Sequence, residues 1–105
     1  MPNHLALNSI DEFKPLLGEA FRVRVDERTE LEARLDELRS LGFNTPVGRG
    51  GRESFSLLFH APAGVRLPQR IYTFTHPRLG ARDFFLVPLG PDSQGMRLEV
   101  IFNFA

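Results

Sequence analysis

The stretch TELEARLDELRSL, Thr29 to Leu41, decides the fold, because two periodicities fit it. Leu31, Leu35, Leu38 and Leu41 fall on one helical stripe, whereas Leu31, Ala33 and Leu35 alternate with Glu30, Glu32 and Arg34 as in a strand. Local propensity for Glu, Leu, Ala and Arg favours helix. The upstream neighbour favours strand. There Phe21, Val23 and Val25 alternate with Arg22, Arg24 and Asp26, and Asp26-Glu27-Arg28 reads as a turn, so a second strand would complete a hairpin.

Toward the N-terminus, Ser9 and Glu12 have the spacing of a capping box, in which each side chain satisfies the other residue's free backbone N–H. Ile10, Phe13, Leu16 and Leu17 follow at helical spacing, Pro15 shortens the helix, and Gly18 stops it. The expected result is a turn or two plugged into the core by Phe13. Downstream, NTPVGRGGR (Asn44 to Arg52) reads as a loop. Phe55, Leu57 and Phe59 then form an apolar row, with Ser56, Leu58 and His60 on the reverse, until Ala61-Pro62-Ala63-Gly64 breaks the strand. RIYTFTH (Arg70 to His76) and Arg82 to Leu89 read as strands on either side of an Arg78-Leu79-Gly80 turn. Gly90 to Gly95 reads as a loop, and Met96 to Phe104 closes the chain. Together these predict one all-β domain over residues 1–105. Its architecture would be a small, partly open antiparallel barrel or rolled sheet of about six strands with a short N-terminal helix.

Composition narrows the function classes. A chain of 105 residues, 42% hydrophobic and 25% charged, is a single globular domain of ordinary balance. Its 13 basic and 13 acidic side chains cancel, which argues against nucleic acid or anionic membrane as partner. Without cysteine there is no disulfide, thiolate nucleophile or Cys-ligated zinc. The start, MPNHLALNSIDEF, lacks the basic and long apolar segments of a signal peptide, so a cytoplasmic protein is expected.

Three pieces carry a resemblance: RESFSLLF (Arg52 to Phe59), YTFTHPRLG (Tyr72 to Gly80), and FLVPLGPD (Phe85 to Asp92) continuing through Gly95-Met96-Arg97 to Phe102-Asn103. With the spacing of Phe13, Leu17 and Phe21, they make the chain similar to an uncharacterised family of small bacterial domains, often encoded beside phage-tail-collar-like proteins. The resemblance implies a part in a tail-like or surface assembly, with no catalytic residues to carry over, and it favours strand over helix for Thr29 to Arg39. Ser54 departs from the family pattern, which has proline there.

The residues offer little chemistry. His4, His60 and His76, even with Asp83 or Glu53, share no metal-ligand spacing. His60, at a strand end, is expected to bond to backbone, and His76, before Pro77, to cap a turn. Ser54, Ser56 and Ser93 lack a nucleophile-elbow context, and Asp83, Asp92 and Glu99 read as solvated charges rather than a carboxylate pair. The GRGGR loop (Gly48 to Arg52) leads into FSLLF instead of a helix, unlike a phosphate loop. Arg22, Arg24, Arg34 and Arg39 are interspersed with Glu30, Glu32, Asp36 and Glu37, a mixed-sign face. No catalytic, cofactor or metal residues are expected, and the chain reads as non-enzymatic.

What stands out is phenylalanine: ten Phe against no Trp and one Tyr. In MRLEVIFNF, Met96, Leu98, Val100, Phe102 and Phe104 share one face opposite Arg97, Glu99 and Asn103, which makes a core strand. Phe84 to Leu89 has no polar face, and Pro88 belongs at its end or on an edge. Phe84, Phe85, Leu86 and Val87 are therefore the candidate contact residues for another protein or for self-association, with whichever of Phe84 and Phe85 misses the core at the centre. A structural or adaptor module is the leading expectation. The alternative is a barrel whose Phe and Leu rings line a pocket for a small apolar ligand.

Overall fold

Asp26 turns the chain back on itself. Its carboxylate accepts the Arg28 backbone N–H at 2.8 Å, while the Val25 and Asp26 N–H groups both donate to the Thr29 carbonyl, at 2.9 and 3.3 Å. In the computed structural model, which describes residues 8–43 and 53–104, the segment after this turn is a strand. The elements are α1 (Ile10–Phe13) with a 3-10 turn (Lys14–Leu16), then β1 (Ala20–Arg24), β2 (Glu30–Phe43), β3 (Glu53–Ala61), β4 (Arg70–His76), β5 (Gly80–Asp92) and β6 (Gly95–Phe102).

All pairings are antiparallel, in the order β1-β2-β3-β6-β5-β4, and β4 returns to β1. The sheet closes in a ring that is not a regular barrel, because its long strands serve two neighbours in succession. β2 pairs with β1 over Glu30 to Arg34 and with β3 over Arg34 to Phe43. β5 pairs with β4 over Gly80 to Leu86 and with β6 over Leu86 to Asp92. Pro88 thus stands where β5 has run past β4, on a local edge that does not need its missing N–H.

Bulges explain the ambiguous pattern of β2. Leu35 pairs with Phe59 and Glu37 with Leu58, leaving Asp36 as an extra residue. Inward positions are therefore odd before the bulge, at Ala33 and Leu35, and even after it, where Leu38 pairs with the buried Leu57. The parity change spaces the leucines as a helix would. A similar shift corrects the expected Gly90 to Gly95 loop: with Leu89 as the extra residue, Gly90, at φ +98°, re-enters the ladder opposite Arg97, and Pro91 pairs with Met96. The strand therefore continues to Asp92.

The interior is filled by rings. Phe13, Phe21, Phe55, Phe59 and Phe74 are fully buried, as are Leu35, Leu57, Leu86 and Leu98. Phe13 enters from α1 as a plug, its ring centroid 5.8 Å from Phe55, 5.9 Å from Phe84 and 5.7 Å from Phe102. The expected capping box does not form: Ser9 makes no side-chain cap. The Glu12 carboxylate is occupied instead by the Asn8 N–H and the Arg82 guanidinium, a stronger, charged donor.

Candidate functional site

Alternation along β5 separates the four candidate contact residues. Phe84 and Leu86 turn inward and are buried at 3% and 0% exposure, so neither offers a contact surface. Phe84 packs edge-on against Phe102 at 5.3 Å and beside Phe74 at 5.2 Å. Phe85 faces outward at 48% exposure, and Val87, on the same side, is half-buried.

The register assembles a patch around Phe85. Ile71 of β4 pairs with it and is 63% exposed. On the other flank Leu86 pairs with Val100, so the next residue of β6, Ile101, comes level with Phe85, and it is 51% exposed. Three large apolar side chains thus stand in a row across three strands. Further along β5, the exposed Leu89 borders a cleft of about 200 Å³ that Glu37, Arg39, Arg97 and Glu99 line with both signs of charge.

A second cluster lies at the far end of β3. His60, expected to bond to backbone, bonds instead to two carboxylates: Nδ1 to Asp36 Oδ2, and Nε2 to Asp92 Oδ2 at 2.9 Å. The bulge aims Asp36 at the ring, and the β5–β6 turn delivers Asp92. The bond to Asp92 is the main cause that raises the His60 pKa above the ordinary histidine value; burial opposes it and Asp36 adds to it. Asp36 is lowered chiefly by Arg34, whose Nε and Nη2 both bond it, and Asp92 chiefly by His60. The sequence signal was a histidine on the apolar FSLLFH strand; its partners lie 24 and 32 residues away.

His76, Ser54 and Asp83 each make hydrogen bonds within the fold. His76 caps its turn as expected, Nδ1 accepting the Arg78 N–H at 3.0 Å, and its Nε2 bonds Glu19 at 2.7 Å. Ser54 accepts the Phe104 N–H at 2.9 Å, joining β3 to the end of the chain. Asp83 accepts from the Thr73 hydroxyl across the β4–β5 ladder at 2.7 Å. Among the described residues, no group of three or more His, Asp or Glu side chains is placed to hold a metal ion. His4 and the Gly48 to Arg52 loop lie outside the described residues. No described helix is long and apolar enough to cross a membrane.

No curated protein and no solved structure matches the chain. A family model does match, over residues 8–102, and this span takes in every described strand, the Phe85 row and the His60 cluster. The chain belongs to the family described as Domain of unknown function (DUF6916).

Proposed function

We propose that the domain is a non-enzymatic structural or adaptor module that binds another protein, or a second copy of itself, through the outer face of β4, β5 and β6 around Phe85. The observation that carries this reading is the row Ile71, Phe85 and Ile101, exposed at 63%, 48% and 51% on a fold whose interior is already filled. Burying such a row on association gains about 25 cal/mol for each Å² of apolar surface removed from water. The resemblance to domains encoded beside phage-tail-collar-like proteins adds the setting: a tail-like or surface-fibre assembly. A lumen-bound apolar ligand is disfavoured, because the plug and the ring stacking occupy the space it would need.

Light scattering on the purified chain, alone and mixed with the products of neighbouring genes, tests the reading. Association that Phe85→Ser weakens while the unfolding midpoint stays put supports it. A wild-type chain that remains monomeric and captures none of those products overturns it.

A further inference from the structure

We propose that His60 is a proton-operated latch on the β5–β6 turn: protonated, it ties Asp92 of that turn to Asp36 of β2, and on losing its proton it lets the turn come away. This inference is independent of the Phe85 surface and rests on the geometry of one ring. Both imidazole nitrogens meet carboxylate oxygens, and an ionised carboxylate only accepts hydrogen bonds, so the closed arrangement needs a proton on each nitrogen. A neutral imidazole carries one. Its other nitrogen would then present a lone pair to a carboxylate oxygen at hydrogen-bonding distance, and one of the two contacts has to break.

The surroundings decide which. Asp36 is held from behind by the Arg34 guanidinium, through Nε and through Nη2 at 3.1 Å, and its side chain is 19% exposed. Asp92 is 35% exposed, and its other hydrogen bond is to the Gln94 N–H within its own turn, at 2.8 Å. Asp92 is the partner that can leave, and it takes the turn with it. A second thread from β2 to the turn, Arg34 Nη2 to Gln94 Oε1, is long at 3.5 Å and holds weakly.

The other charges near His60 are accounted for. On β2, Arg34 is its register partner and Glu32 lines the same surface hollow. On β6, Arg97 pairs opposite it but spends its guanidinium on the Gly90 and Leu89 carbonyls. The two arginines oppose an imidazolium, and the two directly bonded carboxylates outweigh them, so the ring gains affinity for its proton. A histidine raised in this way contributes its stabilisation fully below the unfolded value of about 6.5 and loses it as pH rises through the higher folded value. Because Asp36 and Asp92 are both lowered, the latch also stays charged through the ordinary carboxylate range.

The test is an NMR titration of the ¹⁵N-labelled chain, following the His60 ring nitrogens together with amide hydrogen exchange at Gln94, Gly95 and Met96. The latch predicts that His60 titrates above the ordinary value of about 6.5. It also predicts that opening of the turn, after correction for intrinsic exchange, rises with pH as His60 loses its proton, by at most about tenfold per unit. In Asp92→Asn the His60 titration moves down and the turn's pH dependence flattens. Should that variant fail to fold, the wild-type titration decides alone. A His60 that titrates at or below the ordinary value, or a turn whose corrected exchange is flat across the His60 titration, overturns the proposal.

Discussion

Arg82 of β5 grips the Glu12 carboxylate of α1 with both arms of its guanidinium, Nη1 to Oε1 and Nη2 to Oε2, each at 2.7 Å. The same Nη1 reaches Asn8 Oδ1 at 3.1 Å. An isolated helix as short as Ile10–Phe13 has no stability of its own in water. The fork and the Phe13 ring therefore hold it between them, one by charge and one by burial.

Removing one side of that fork leaves the other uncompensated. Arg82→Met is expected to cost about 2 kcal/mol, below the roughly 3–5 kcal/mol of a fully buried broken pair because both side chains keep some water contact. Urea unfolding measures this, and the double variant with Glu12→Gln should recover part of the loss.

The pair also sets a pH dependence on the acid side. Arg82 holds the Glu12 carboxyl below its ordinary range, so its stabilisation is present above the unfolded value of about 4.3 and fades as pH falls through the lower folded value. Thermal unfolding followed across that window should show a shallower decline in Glu12→Gln than in the wild type.

Adjacent phenylalanines on β5 should behave oppositely. Phe84→Ser opens a cavity among Phe13, Phe74 and Phe102 and is expected to cost about 4 kcal/mol. Phe85→Ser removes a half-exposed ring and should change stability by no more than about 1 kcal/mol. Chemical unfolding of the two variants side by side provides the comparison.

Gly95 opens β6 at φ +135°, and a Cβ there would run into the Ala61 carbonyl oxygen at the end of β3. That oxygen belongs to the backbone and has no rotamer to escape into. Gly95→Ala is expected to destabilise the fold by about 2 kcal/mol, read from the urea midpoint.

Residues whose environment is set by their immediate neighbours were legible in the sequence. Phe55, Leu57 and Phe59 needed nothing beyond alternation, and Phe13 needed only its place in a short helical pattern ending at Gly18. Thr29 to Leu41 resisted because the bulge at Asp36 changes which parity faces inward, and bulges leave no composition signal of their own. Of Phe84 and Phe85, the sequence said that one had to face out; the pairing with β4 decided which. His60 was misread because its partners come from a bulge and a turn remote in the chain. The Glu12 side chain was misassigned because Arg82, far downstream, competes for it.

The ring is fastened unevenly. β1 meets β4 along a short seam, from Arg22 opposite Thr75 to Arg24 opposite Thr73, while β4 and β5 run together from Arg70 and Leu86 to His76 and Gly80. Apart from Val23, the seam joins exposed arginines to threonines. Closing it is also a long-range event, since about fifty residues of chain must be arranged before its two sides can meet. The seam is thus expected to close last and part first, so amide exchange at Arg22, Val23 and Arg24 should run ahead of that along the β4–β5 ladder.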